Sequence, residues 1–170
     1  MEPIQEVRLE AFEPNLHSAK LREWLHRQHV SRWWADPERA LQSALLQTQE
    51  RSAIIFSGSV PVGYVCWHPL SSVEAEVAGL SDLAASCIDI DILLGELEYV
   101  GVGIGPRALQ ALLARLGEDQ SVSVAGVGVS VGNVSAIRAF EKAGFCVNCE
   151  FEDADYGSCL YMLAAVGDAV

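Results

Sequence analysis

The chain has 170 residues, 51% of them apolar and 20% charged, with a formal net charge of −12. That length suits one domain over residues 1–170, with a core large enough to fold without staples. The negative balance excludes a nucleic-acid surface, whose phosphates demand Lys and Arg. It either draws cationic small molecules or serves solubility alone.

In chain order, Ile4 to Phe12 alternates as a first strand. Asn15 to Arg27 reads as a helix, with Leu16, Ala19, Leu21, Trp24 and Leu25 mostly on one side. Val30 to Trp34 follows. Asp36-Pro37 then supplies an N-cap and a proline for a helix running to about Arg51. Ala53–Phe56 and Val60–Trp67 flank Ser57-Gly58-Ser59 as a hairpin. Residues 68–86 read as a long loop, alone or with a short helix, carrying Glu74, Glu76 and Asp82. Cys87–Leu94 is a buried-type strand holding Asp89 and Asp91. Pro106–Leu116 is a helix, Ser121–Val131 a strand, and Ser135–Ala143 a helix stopped by Gly144. Phe145–Phe151 and Ser158–Ala164 are the last strands. The order is mixed α/β.

No apolar run reaches the length of a membrane span. Met1 to Glu10 has no apolar stretch like a signal peptide. A cytoplasmic protein without a membrane partner is therefore expected. Five cysteines, an odd number, argue against a disulfide framework. Cys146 and Cys149 form a lone C-x-x-C with no second pair at zinc spacing, so no metal is expected and reduced thiols are.

The segment Tyr99-Val100-Gly101-Val102-Gly103-Ile104-Gly105-Pro106-Arg107 carries the strongest chemical signal. Three glycines let backbone approach a ligand and turn N–H groups inward. The following helix adds its unpaired amides and positive dipole end. Pyrophosphate is the natural occupant, with Arg107 adding charge; a plain glycine turn is the other reading. No Lys-Ser/Thr follows, as a Walker loop requires. The mid-chain position, after a strand with two aspartates, does not suit a Rossmann site.

The stretch "IDIDILLGELEYVGVGIGPRALQALLARL", with "GNVSAIRAFEKAGF" after it, resembles the acetyl-CoA core of the GNAT acetyltransferase superfamily. Gly103 and Gly105 match the glycines of its Q/R-x-x-G-x-G/A loop. Asn133, Ala136, Ile137, Arg138, Glu141, Lys142, Gly144 and Phe145 match its next helix. The resemblance implies a GNAT fold: a central, mostly antiparallel mixed sheet flanked by helices, with acetyl-CoA in a cleft between splayed strands. It implies cofactor contacts at Ile92, Leu93 and Leu94, at Val100 through Arg107, and at Asn133, Ala136, Phe140 and Lys142. Two positions depart from the pattern. Val100 stands where Q/R is usual, and Phe140 replaces a tyrosine that can protonate the thiolate.

"LREWLHRQHVSRWWADPE" and "PVGYVCWHPL" are similar to the branch holding the aminoglycoside 6′-N-acetyltransferases. That likeness implies that Asp91, the aspartate of I-D-x-x-(L/I), sits beside the acceptor amine as the catalytic residue. Such an amine must lose a proton before it attacks a thioester. A carboxylate near pKa about 4 is a weak base for an amine near about 10. Asp91 would then act through burial, through water, or by positioning the amine. Asp89, on the same strand face, is a second substrate residue or a partner for basic groups. Two close carboxylates should raise the pKa of one of them.

Glu74, Asp155 and neighbouring acids, with Trp33 and Trp34 as an apolar wall, complete the expected substrate set. Gly128 stands where the branch can carry an aspartate. His68 could face the acceptor site or be a surface or core residue. The expected activity is direct acetyl transfer to a primary amine of an aminoglycoside, the 6′-amine. The alternatives are another amine (siderophore precursor, polyamine or protein N-terminus) or a non-catalytic acyl-CoA-binding domain. A monomer or a homodimer fits equally.

Overall fold

The computed structural model describes residues 5–47 and 49–167. Seven strands form one sheet: β1 (Val7–Ala11), β2 (Ser52–Ser57), β3 (Val60–Pro69), β4 (Cys87–Leu94), β5 (Val124–Ser130), β6 (Cys146–Asp153) and β7 (Gly157–Ala165). Their order is β1-β2-β3-β4-β5-β7-β6. Among the described residues six α-helices accompany them: α1 (Pro14–His26), α2 (Gln28–Ser31), α3 (Pro37–Leu46), α4 (Ser72–Val77), α5 (Ile104–Leu116) and α6 (Val134–Ala143). The β4–β5 pairing is parallel, while β1–β2, β2–β3, β5–β7 and β6–β7 are antiparallel.

The chain divides into two compact units, each built from separated segments. The first comprises residues 1–66 and 92–108. Its core gathers Phe12, Leu21, Trp24, Leu25, Leu41, Ile54, Tyr64 and Leu93, all buried. Periodicity explains this: Leu21, Trp24 and Leu25 share one face of α1. Gly95 lies flat against Trp24, where a Cβ would come 1.9 Å from the indole ring. Directly after it, Glu96 accepts hydrogen bonds from Trp24 Nε1 (2.9 Å) and Arg27 (2.6 Å) and pairs with Lys20 (2.9 Å). Desolvation pushes the Glu96 carboxyl up, but these donors outweigh it and pull it down to about 2.

The second unit comprises residues 67–91 and 109–170. Its buried cluster includes Leu70, Ala75, Ala78, Leu80, Cys87 and Tyr161. Two antiparallel ladders, β5–β7 and β7–β6, span most of these strands' lengths. All five cysteines are free thiols; Cys149 Sγ donates to the Ala78 carbonyl (3.1 Å) and Cys146 is exposed.

Several boundaries differ from the sequence reading, and Ile4, expected to open the first strand, lies outside the described residues. The helix opened by Pro37 ends at Leu46, and a 3₁₀ turn over Gln49–Arg51 replaces its last stretch. Strand β3 runs on to Pro69. Six residues of the remaining "loop" form α4, set by a capping box in which Ser71 Oγ accepts from Glu74 N–H and Glu74 accepts from Ser71 N–H. No helix among the described residues is long and apolar enough to cross a membrane.

Candidate functional site

Leu97–Tyr99 makes a single 3₁₀ turn, with Val100 N–H bonded to the Leu97 carbonyl (3.1 Å). The chain then enters the left-handed region twice, at Gly101 (φ +79°) and Gly103 (φ +91°). A Cβ at either would meet nothing within 4 Å, so both face open space. Helix α5 begins immediately afterwards, at Ile104. Among the described residues, the N–H groups of Gly101, Val102 and Gly103 donate to no backbone carbonyl. Ile104 and Gly105, as the first helical residues, have no carbonyl a turn back within α5, and Pro106 has no N–H. Arg107 is exposed, and no described carboxylate lies within ion-pair distance of it. A row of unpaired donors and the positive end of a helix dipole therefore meet at one turn, which suits phosphate oxygens.

In the second unit, Asn133 caps α6, its side-chain oxygen accepting from Ala136 N–H (3.2 Å). Ala136 is half-buried, Phe140 is buried against Phe145 (ring centroids 5.9 Å apart), and Lys142 is exposed in the last turn. Gly144 (φ +103°) ends the helix, as its sequence position predicts.

The acidic cluster is set by strand register. Leu70 N–H bonds to the Cys87 carbonyl (3.0 Å), and in the first unit Gly95 N–H bonds to the Val62 carbonyl (2.8 Å). These pairs run in opposite directions, so β3 and β4 are antiparallel and His68 comes opposite Asp89. His68 Nε2 lies 3.5 Å from Asp89 Oδ2 and 3.9 Å from Asp91 Oδ2, while Nδ1 bonds to the Pro69 carbonyl (3.0 Å). From β7, Tyr161 donates its hydroxyl to Asp89 Oδ1 (2.7 Å). The tyrosine reaches across Gly126, where a Cβ would come 2.2 Å from the phenol oxygen. The sequence reading missed Tyr161 and Gly126. A glycine inside a valine-rich strand was the available signal of a close approach.

The Asp89 side chain is only 14% exposed. Desolvation, then the Asp91 charge, push its carboxyl up to about 7, against the Tyr161 hydrogen bond and His68. The Asp91 side chain is 52% exposed, yet desolvation is also the largest influence raising its pKa. Burial opposes charging His68, but its Pro69 hydrogen bond and the charges of Asp89, Asp91 and Glu74 outweigh that and raise its pKa. Among the described residues, no Lys or Arg forms an ion pair with Asp89, Asp91 or Glu74. The cluster holds more carboxylates than cations, with His68 as its basic neighbour among the described residues.

Strand pairing opens beside it. β4 pairs with β5 from Cys87↔Val124 to Asp89↔Gly126 and no further, although both strands continue. At Gly128, a Cβ would make ordinary contact with Phe151 (3.8 Å), so the position has room for a side chain that this sequence does not supply.

The other expected substrate residues are placed as follows. Glu74 is tied into the α4 capping box while its charge reaches the aspartates. Trp34 packs on the first unit's core, and Trp33 is half-buried with Arg32 over its ring (5.2 Å). Asp155 is exposed in the turn between β6 and β7, its N–H bonded to Asp153 Oδ1 (2.8 Å).

A family profile described as an acetyltransferase (GNAT) domain matches residues 13–153. An aminoglycoside N(6′)-acetyltransferase type 1 from Klebsiella pneumoniae is 31% identical over 136 residues, 75% of this chain and 68% of the relative. Among solved structures, AAC(6′)-Ib in complex with coenzyme A and kanamycin is 28% identical, with a TM-score of 0.76 over 94% of this chain and 95% of that one. AAC(6′)-Ib with ribostamycin and coenzyme A gives a TM-score of 0.78 at 24% identity, over 95% of this chain and 94% of the other.

Proposed function

This chain belongs to the GNAT acetyltransferase family, and from that premise we propose that it transfers the acetyl group of acetyl-CoA to a primary amine of an aminoglycoside, at the 6′ position. The observation that carries the reading is the glycine turn, with its unpaired amides at Gly101–Gly103 and the start of α5. The family match extends over segments of both units, which supports one acetyltransferase domain across the chain.

When bound, acetyl-CoA supplies an acetyl group activated as a thioester. Residues Val100 to Arg107 hold its diphosphate, through main-chain N–H groups and the Arg107 charge. Ile92, Leu93 and Leu94 offer backbone to the acyl arm, and an N–H there stabilises negative charge on the reacting carbonyl oxygen. The likeness of α6 to the family's helix assigns cofactor contacts to Asn133, Ala136, Phe140 and Lys142 as well. Asp91 anchors the acceptor amine and offsets the positive charge that develops as it attacks, while the ammonium proton is lost to solvent, because the carboxylate is too weak a base to take it outright. Asp89 and Glu74 add negative potential for a polycation, with Asp155, Trp33 and Trp34 around the sugar rings. Phe140 has no proton to give, so solvent protonates the departing thiolate. Direct attack without a covalent enzyme intermediate fits a cluster that holds no nucleophile paired with its base.

Acetylation turns a cationic amine into a neutral amide, and the consequence in a bacterial cytoplasm is antibiotic resistance. The deciding assay mixes the purified chain with acetyl-CoA and drugs with or without a free 6′-amine, reading liberated thiol. Release of CoA with 6′-amino drugs and none with 6′-hydroxyl drugs is expected. Release with polyamines or peptides, and none with the drugs, discards the aminoglycoside reading in favour of another amine.

A further inference from the structure

We propose that His68 Nε2, Asp89 Oδ2 and Asp91 Oδ2 form a binding site for one divalent transition-metal ion of the zinc type. The three residues each offer one donor atom, all within 4.8 Å of one another. The nitrogen-to-oxygen separations of 3.5 and 3.9 Å are already close to those in a filled site. An ion that holds its ligands at about 2.0–2.2 Å in a tetrahedron sets neighbouring donors about 3.3–3.6 Å apart. The two nitrogen-to-oxygen pairs need to close by only a few tenths of an ångström, and the two carboxylate oxygens, which lie within 4.8 Å of each other, by up to about 1.5 Å. One imidazole with two carboxylates is a borderline donor set, which suits Zn²⁺ and Co²⁺ better than Mg²⁺ or Ca²⁺.

The surroundings orient these donors as metal sites require. His68 spends Nδ1–H on the Pro69 carbonyl, which leaves Nε2 facing both carboxylates, where an ion would replace its proton. The Tyr161 hydroxyl holds Asp89 by Oδ1 and leaves Oδ2 free. Glu74 adds negative charge nearby without occupying the donors, since it is bonded to the Ser71 N–H. Asp91, half exposed, leaves a coordination position open to water or a ligand. Sequence spacing gave no hint of this site, because the histidine and the aspartates come from different strands and meet only through register. The lone C-x-x-C is separate: a bulge lies between Val147 and Cys149, and the Cys149 thiol is bonded to Ala78.

A regulatory consequence rests on the reading that Asp91 holds the acceptor amine. An ion and an ammonium would then compete for the same carboxylates. Inhibition would be competitive toward the aminoglycoside and not toward acetyl-CoA.

The test titrates Co²⁺ into the full chain after treatment with chelator, in a Cys146→Ser background that removes the exposed thiol. One Co²⁺ per chain is expected, with visible absorption bands of low coordination number. His68→Gln should weaken binding at least tenfold while the metal-free melting temperature stays unchanged. Binding that is absent, or equal in His68→Gln and its parent, overturns the site. Kanamycin should displace the ion. One-to-one binding, sensitive to His68→Gln but indifferent to kanamycin, supports the metal site and overturns the assignment of Asp91 to the amine.

Discussion

At Asp91 the environment does two things at once. It crowds the carboxyl enough to raise its pKa, and it leaves half the side chain open to solvent. Asp91→Asn keeps the shape and removes the charge. Turnover should fall about 100-fold or more, while CoA affinity, measured by calorimetry, stays the same. Unchanged turnover would remove Asp91 from the chemistry. Gly126 tests the support beneath it. Gly126→Ala puts a methyl where the Tyr161 hydroxyl lies, which breaks the bond to Asp89. Urea unfolding should register a loss of about 1–3 kcal/mol. Asp89 and Asp91 were legible in the sequence as a pair on one strand face. Of their partners, His68 was weighed as a residue facing the acceptor site and Tyr161 was passed over, because both reach the aspartates by pairing between strands distant in sequence.

Elements announce themselves where the local chemistry is complete. Strand β4 falls at Cys87–Leu94, as its apolar run predicts, and Asn133 and Gly144 bracket α6 as cap and stop. Helix α4 is harder to read, since six residues give little periodicity and only the Ser71–Glu74 capping box marks its start. Ser71→Ala should cost about 1 kcal/mol, seen as faster amide exchange confined to α4. Helix α1 depends on a residue the sequence reading passed over. Glu96 gathers Trp24, Arg27 and Lys20, and its pKa lies below the ordinary carboxylate value. A depressed folded pKa gives stability that is present above about 4.5 and is lost as pH falls toward about 2. Glu96→Gln should therefore melt below the parent at pH 7, with the gap closing as the two are compared at lower pH. A gap that is constant with pH would mean that the Glu96 charge contributes nothing.

For the whole chain, the net charge of −12 and the anionic cluster point the same way, toward a polycationic acceptor. The fold class was readable because two motifs, the glycine turn and the Asn133–Phe145 helix, occur in the right order. The choice of amine came from the likeness of residues 21–38 and 61–70 to one branch of the family and not from the chemistry of the residues, since that depends on where carboxylates converge. The central claim is that main-chain amides around Gly103 grip the diphosphate of the cofactor. Calorimetry can compare CoA with acetyl-pantetheine, which lacks the diphosphate, on the parent chain and on Gly103→Ala. The parent should bind CoA far more tightly than the short donor, and most of that advantage should vanish in Gly103→Ala, whose alanine resists φ +91°. An advantage for CoA that survives undiminished in the variant would contradict the account.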